Sequence, residues 1–368
     1  MKVNKNYKIF VAGGTGMVGS SIIRNLISKG YSNIVSNYHR RRPLENYGDK
    51  VSFFPLDLTR QDETEYFFEK ERPDYVFMAS AKVGGILANN TYKAEFIYDN
   101  LAIALNVIHS SYKYGVKKLL NLGSSCIYPK HAPQPMKEEY LLTGALEATN
   151  EPYAVAKIAA IKLCRYYNEQ YGTNFISVMP TNLYGPNDNF DLFTSHVLPA
   201  LIRKFHLGKA LMEKDWGTIR KDLTKFSIES VDGSAGEIEI LKILQKYGIF
   251  PDYVEIWGSG EVYREFLHVD DLADACVFLM ENIDAQQMKS CCPDYFVNVG
   301  TGKDIKIKDL AIMIKDIVGY KGEIKHDLSK PDGTPRKLLD VKTLLQFNWR
   351  HSIPLEKGIK DVYDWYAF

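Results

Sequence analysis

Three observations predict an α/β fold, a Rossmann-type doubly wound parallel sheet with a smaller α/β C-terminal substrate lobe. A short apolar run at 8–12 empties into Gly13-Gly14-Thr15-Gly16-Met17-Val18-Gly19 and then into a helical pattern carried by Ile22, Ile23, Leu26 and Ile27. Apolar runs and amphipathic stretches alternate from there to about residue 180, the pattern of a parallel sheet covered on both faces. With 368 residues, 45% of them hydrophobic, the chain exceeds one ordinary domain of about 100 to 150 residues and can fill a large core with a smaller partner.

The glycines are spaced Gly-x-x-Gly-x-x-Gly between the strand and the helix. Without side chains there, backbone N–H groups and the helix N-terminus can approach a dinucleotide pyrophosphate, which makes Gly13, Gly16, Met17, Val18 and Gly19 candidate cofactor contacts. The blander alternative is an ordinary turn, and the strand-to-helix context argues against it. The second strand, 33–37, should end near the adenosine ribose, where an NAD site places an acid about 20 positions after the glycines. The chain offers Tyr38-His39-Arg40-Arg41-Arg42 instead, and a guanidinium suits a 2′-phosphate. Arg40 and Arg41 therefore favour NADP over NAD, against the alternative of a solvated basic loop.

A third strand at 51–55 leads through Asp57 and Leu58 to an amphipathic stretch, 62–71. The fourth strand, 75–79, feeds a loop of small residues at 80–86 that lets backbone pass close to a cofactor. Helix 94–114, strand 118–122, helix 152–171 and strand 175–179 follow, and the last of these ends in Pro180-Thr181-Asn182-Leu183-Tyr184-Gly185-Pro186. Residues 1–185 thus read as the dinucleotide-binding domain and 186–368 mainly as a substrate lobe, with segments around 255–300 open to returning to the first domain. Within the lobe, 195–204 is a helix candidate with His196 in its first turn. Residues 209–252 mix charge and glycine with one convincing helix, 237–247. Strand grammar resumes at 254–257, Asp270 or Asp271 can cap a helix reaching Met280, and strand 296–299 and helix 307–318 precede the final fifty residues. There is no internal repeat.

In doubly wound sheets ligands sit outside the carboxyl ends of the strands, where Ser124 lies. Tyr153 and Lys157 are four apart just after Pro152, so both project from one helix face. A hydroxyl, a phenol and an ammonium can therefore converge on a carbonyl oxygen, the lysine charge lowering the phenol pKa from about 10. A Tyr-x-x-x-Lys pair alone is usually helix surface; Ser124 at a strand end gives it a chemical reading.

Composition narrows the partners. With 46 basic and 45 acidic residues, bulk charge recruits neither nucleic acid nor a membrane surface. The five cysteines, Cys126, Cys164, Cys276, Cys291 and Cys292, have no CxxC spacing or disulfide framework, which suits thiols in a reducing compartment and gives no reason to expect zinc or another metal. No segment approaches the ~20 apolar residues of a membrane helix, and residues 1–10 lack a signal-peptide core. A soluble cytoplasmic protein is the expectation.

Taken together, residues 81–90 (Ala-Lys-Val-Gly-Gly-Ile-Leu-Ala-Asn-Asn), 123–129, 150–157, 178–186, 264–271 and 330–340 resemble the GDP-L-fucose synthase family of extended short-chain dehydrogenases/reductases. The resemblance spans nearly the whole chain apart from the segment after His206. It implies NADPH, a GDP-linked 4-keto sugar, and a homodimer packed through helices 94–114 and 153–171. By the same resemblance Tyr153 donates a proton to the C4 oxygen as hydride arrives, Lys157 holds the ribose and tunes Tyr153, and Ser124 hydrogen-bonds the same oxygen. Cys126 and His196 match the pair that moves protons during C3 and C5 epimerisation, since the 4-ketone acidifies both neighbouring C–H bonds. The residues leave open whether the two epimerise or only line the pocket, Cys126 as a small hydrophobe and His196 as a positioning group.

Further cofactor contacts implied by the resemblance are Asp57, Leu58, Ala79, Ala81, Lys157, Pro180, Asn182, Leu183 and His196. Ser125, Asn150 and Asn182 are implied at the sugar. Lys204, Arg264, Arg336 and Lys337 suit the pyrophosphate, and Trp257 a wall against base or ribose. The alternative for Arg264 is a surface ion pair with Glu265. There are three departures from the pattern. Lys204 stands where the family often has Arg, Thr15 where some relatives have an Arg near the 2′-phosphate, and 209–252 where the family is usually much shorter. An insertion is ordinarily a tolerated surface loop; here its place beside the substrate lobe suggests altered sugar recognition. The expected activity is NADPH-dependent reduction of the C4 ketone of a GDP-4-keto-6-deoxy sugar, with C3/C5 epimerisation left open. The alternatives are a C4 reductase without epimerisation on a related sugar such as a heptose, and a non-catalytic NADP(H)-sensing protein, which the intact Ser124, Tyr153 and Lys157 argue against.

Overall fold

A computed structural model describes residues 4–40, 42–43, 45–330 and 332–367. The first part of the chain alternates strictly: β1 (Ile9–Ala12), α1 (Met17–Ser28), β2 (Ile34–Tyr38), β3 (Val51–Pro55), α2 (Gln61–Glu71), β4 (Tyr75–Met78), α3 (Ile86–Thr91), α4 (Lys93–Lys113), β5 (Lys118–Leu122), α5 (Glu151–Tyr171) and β6 (Phe175–Pro180). Then come β7 (Asn182–Tyr184), α6 (Val197–Met212), α7 (Trp216–Lys225), α8 (Glu237–Lys246), β8 (Tyr253–Trp257), β9 (Tyr263–His268), α9 (Val269–Asn282) and α10 (Ala285–Cys291). The chain closes with β10 (Phe296–Val299), β11 (Asp304–Lys306), α11 (Ile307–Val318), β12 (Glu323–Asp327), β13 (Arg336–Lys337), α12 (Lys342–Gln346) and α13 (Leu355–Ala367).

The main sheet has seven parallel strands in the order β10-β6-β5-β4-β1-β2-β3. Its central strands are buried throughout, because helices cover both faces. One face packs on α1 and α9 through Ile22, Ile23, Leu26, Leu272 and Val277, the other on α2, α4 and α5 through Phe68, Val107, Ile108 and Cys164. Strand order reverses between β1 and β4, which opens a crevice at their carboxyl ends.

The remaining strands form a small lobe. In it β9 pairs with β7, β11 and β13, while β8 pairs with β12. Its core joins Phe205 and Ile202 of α6, Leu310 and Ile314 of α11, and Ile359 and Val362 of α13. Residues 209–252 are more ordered than their composition suggests. α6 runs on to Met212, α7 is a helix the sequence reading lacks, and both share with α8 a cluster of Leu211, Ile219, Leu223, Ile240 and Leu244. Two expected helix starts are corrected. His196 is the residue before the first turn of α6, not in it. His268, not Asp270 or Asp271, caps α9, its Nδ1 accepting the Asp270 N–H at 3.2 Å; burial keeps that imidazole neutral and able to accept.

Candidate active site

Ser124 follows β5 in extended conformation, and its Oγ accepts the Cys126 N–H at 3.2 Å, opening a short turn over Ser125–Ile127. Ser125 is buried. α5 begins opposite, with Pro152 in its first turn and Asn150 before it. The Asn150 side chain does not cap its own helix; its amide donates to the Cys126 thiol at 3.2 Å. Its other atom, Oδ1, is buried and makes no hydrogen bond within the protein.

Tyr153 and Lys157 share one face of α5. Lys157 is buried and donates to the Leu122 carbonyl at 2.7 Å, with its ammonium 5.7 Å from the centre of the Tyr153 ring. Burial holds the Tyr153 phenol above its ordinary pKa, with Cys126 adding to the rise and a hydrogen bond from Ser124 opposing it. Lys157 is pulled down to about 8, also by burial. The expected lowering of the phenol by Lys157 is therefore not what the geometry produces: the ammonium is tied to a backbone carbonyl, and desolvation dominates both groups. Tyr153 is a neutral phenol at ordinary pH, which is the form that can give up a proton.

His196 ends the loop that leads into α6. The loop after β4 touches its segment: Gly85 N–H donates to the Thr194 carbonyl at 2.8 Å, and a Cβ on Gly85 would stand 2.6 Å from the Ser195 carbonyl oxygen. His196 keeps accessible surface yet is surrounded by protein, and the same holds for Tyr153. Groups with both properties lie in a cleft. Burial and the charge of Lys337 hold the His196 imidazole below its ordinary pKa.

The cations divide by strand register. Arg264 on β9 is opposite Lys337 on β13, so the two side chains share a face. That face is the cleft side, since Lys337 acts on His196 and Cys126 acts on Arg264. Arg336 is opposite Tyr263 on the other face and forks onto Asp304, with Nη2–Oδ1 at 3.1 Å. It turns away from the face that Arg264 and Lys337 share. Arg264 is not paired with Glu265, whose carboxylate instead accepts the N–H groups of Thr301, Gly302 and Leu339 at 2.6 to 2.9 Å. Lys204 and Trp257 lie further along, at β8. Lys204 donates to the Glu255 carbonyl at 2.9 Å and is pulled down to about 8 by burial, while Trp257 is 52% exposed. Asp332 links the turn after Trp257 to Arg264: it accepts from Ser259 and its charge acts on Arg264. Asn182 donates to the Glu265 carbonyl at 2.8 Å, which places it beside β9 with Pro180 and Leu183 on the strands around it.

The glycine turn fits a dinucleotide diphosphate. Gly13 has φ +85°, and a Cβ on Gly19 would stand 2.1 Å from the Gly13 carbonyl oxygen. Above them, α1 starts without a side-chain cap or an acid in its first turn, leaving the N–H groups of Met17, Val18 and Gly19 to an outside acceptor. Ala79, whose N–H donates to the Ala12 carbonyl, and Ala81 border the crevice after β4. At the other end Asp57 accepts from Thr59 N–H and Oγ at 3.0 and 2.8 Å, and Leu58 is buried with its carbonyl held by Asn106. Arg40 is exposed just past β2, with no ion pair among the described residues; Arg41 lies outside them.

Over residues 9–225 and 240–300 this chain matches the NAD dependent epimerase/dehydratase family. It belongs to that family. GDP-L-fucose synthase 1 of Arabidopsis thaliana is 47% identical over 363 residues, spanning 99% of this chain and 94% of that protein. Among solved structures, a GDP-6-OMe-4-keto-L-xylo-heptose reductase from C. jejuni is 41% identical with a TM-score of 0.90, covering 100% of this chain and 99% of that one. MlghC, a GDP-mannoheptose C4 reductase from Campylobacter jejuni with NADP bound, is 40% identical with a TM-score of 0.82 over 100% of both chains.

Several residues that shape this family member's site escape sequence reasoning. Asn37 Oδ1 and Ser36 Oγ accept the N–H groups of Gly13 and Gly14 at 2.8 and 3.1 Å, fixing the glycine turn from the next strand. Asn100 grips the Lys82 backbone through both its oxygen and its amide. Tyr128 donates to Asn298 at 2.6 Å and so anchors the Cys126 turn to β10. The one local signal is Ser36-Asn37 within β2, a buried polar pair next to apolar Ile34 and Val35. Among the described residues no helix is long and apolar enough to cross a membrane, and no group of three or more His, Cys, Asp or Glu could hold a metal.

Proposed function

We propose that this protein is an NADPH-dependent reductase of the C4 ketone of a GDP-4-keto-6-deoxy sugar. The observation that carries the reading is the convergence of Ser124, a neutral Tyr153 and Lys157 at the carboxyl edge of the sheet, beside the uncapped start of α1. A bound nicotinamide cofactor supplies hydride. Met17, Val18 and Gly19 would hold its diphosphate and Arg40, with Arg41, its 2′-phosphate. Tyr153 gives its proton to the C4 oxygen, Ser124 hydrogen-bonds that oxygen, and Lys157 restores charge balance as the phenolate forms. Arg264 and Lys337 bind the nucleotide diphosphate, Lys204 and Trp257 extend the site towards ribose and base, and Asn150, Asn182 and Ser125 order the sugar. The direct test is loss of the NADPH absorbance band with a panel of 4-keto nucleotide sugars; no oxidation with any of them, despite tight NADPH binding, would refute it in favour of a sensing role.

Epimerisation at C3 and C5 belongs to the same reading through Cys126 and His196. The Asn150 amide, donating to the Cys126 sulfur at 3.2 Å, fixes where the thiol sits. A second reading, C4 reduction of a related GDP-4-keto heptose without epimerisation, is favoured by the fold-wide match to the two heptose reductases. Turnover in D2O separates them: deuterium at C3 and C5 requires the proton-moving pair, and its absence leaves reduction alone.

A homodimer completes the proposal. α4 and α5 pack side by side and expose Tyr98, Leu105, Tyr166 and Tyr171 on their outer surface. Exposed apolar groups grouped on one helix pair mark a self-association face. Sedimentation should give a dimer, and Leu105→Glu a monomer.

A further inference from the structure

The loop that delivers His196 is fixed by one guanidinium. Arg203, two turns along α6 from His196, has no accessible surface. Its Nη1 donates to the Phe190 carbonyl at 3.1 Å, its Nε to the Asp222 carboxylate at 3.0 and 3.2 Å, and its Nη2 to the Phe226 carbonyl. Asp222, on α7, also accepts from the Tyr366 hydroxyl of α13 at 2.7 Å. A buried ion pair survives its desolvation only when the polar needs of both partners are met, and here every arm of the fork and both carboxylate oxygens are used.

The loop itself is stiff between these anchors. The Phe190 ring is fully buried 4.5 Å from that of Tyr366, and Leu192 packs into the cluster built by α7 and α8. Asp191 Oδ1 accepts from the N–H groups of Phe193 and Thr194 at 3.2 and 2.8 Å, and Ser195 N–H returns to the Asp191 carbonyl at 2.9 Å. Displacement at Phe190 is therefore passed to His196 instead of being absorbed between them. The 209–252 segment supplies two partners of Arg203, the Asp222 carboxylate and the Phe226 carbonyl, so it helps to fix where the loop starts.

We propose that Asp222 is a positioning residue that acts through Arg203 on the 187–196 loop, so that the 209–252 segment sets sugar recognition without touching the sugar. This rests on the reductase reading above, and its test has a readout that needs no substrate.

Asp222→Asn, Asp222→Glu and Tyr366→Phe are compared in the full chain. Tyr366→Phe keeps the stacked rings and removes only one bond, so it carries the test if Asp222→Asn does not fold. The sugar kcat/KM should fall by up to about 10²-fold in Asp222→Asn, mainly through KM, with partial recovery in Asp222→Glu. In the substrate-free protein, the NMR titration of the His196 ring should move up towards the ordinary imidazole value of about 6.5, as the ring escapes burial and Lys337. An unmoved His196 titration in the folded variants would overturn the proposal, as would an unchanged sugar KM in Asp222→Asn. A wild-type protein that reduces no 4-keto sugar, with variants in which His196 still moves, supports the positioning role and refutes the reductase reading.

Discussion

Gly19→Ala puts a methyl group where the turn has no room. The new Cβ would lie 2.1 Å from the Gly13 carbonyl oxygen, 2.6 Å from its carbon and 2.8 Å from Gly14 Cα, all of it backbone. Neither neighbour can yield easily, because Gly13 and Gly14 are tied to Asn37 and Ser36 on β2. Ordinary contact starts at 3.4 Å, so α1 must retreat by roughly 1 Å in an interior packed like a crystal. That shift pulls the first N–H groups of α1 away from the diphosphate. Losing one or two charge-assisted bonds of about 1.5 to 3 kcal/mol, partly recovered by water, should cost about 2 to 4 kcal/mol, or about 30- to 1,000-fold in NADPH Kd. The assay is titration of NADPH fluorescence, with cooperative melting as the check on folding. Gly236→Ala, where nothing lies within 4 Å, is the control. A folded Gly19→Ala protein that binds NADPH as tightly as wild type would refute the reasoning about the turn.

Tyr153→Phe should abolish ketone reduction and leave NADPH affinity nearly unchanged, since only the hydroxyl that serves the C4 oxygen is lost; wild-type turnover rules out the proton-donor role. The ammonium of Lys204 has its pKa drawn below the ordinary lysine range, so charge is present below about 8 and lost as pH rises through it. The sugar KM should therefore climb on that alkaline limb, and Lys204→Arg, which stays charged, should flatten it; Lys157 titrates in the same range but acts on kcat. Lys118 is buried and donates to the carbonyls of Leu279, Met280 and Ile283 at 2.7 to 2.8 Å, closing the end of α9. Lys118→Met should lower stability in urea by about 2 to 4 kcal/mol with little effect on NADPH binding, because it leaves those carbonyls without their donor.

What the sequence discloses is what local spacing determines. The strand, glycine turn and helix at 8–28 and the Tyr153/Lys157 pair depend on residues a few positions apart, and both are read correctly as local structure. The contacts that hold them come from far along the chain and leave no periodic trace: Asn37 on the glycine turn, Asn298 on Tyr128, Glu265 on the backbone of Leu339. Arg336 and Lys337 are adjacent in a run of cations, and only the pairing of β13 with β9 reveals that they face opposite ways. α7 is hidden because its buried apolar side chains are just Ile219 and Leu223, while its buried Asp222 reads as a surface charge until Arg203 is seen against it. The raised pKa of Tyr153 is hidden from the sequence for a related reason: spacing reports that a lysine is near, whereas burial depends on everything else around it.

The path of the chain between the two cores has a mechanical consequence. It leaves the main sheet at β6 for β7, returns from β9 into α9, leaves again from β10 for β11, comes back with α12 and departs finally for α13. A lobe hung from one linker can swing like a door; one stitched across the seam five times is closer to a riveted plate. Admission of a bulky nucleotide sugar must then be managed by small movements of individual segments, chiefly those after β4 and β7, which touch each other at Gly85 and Thr194.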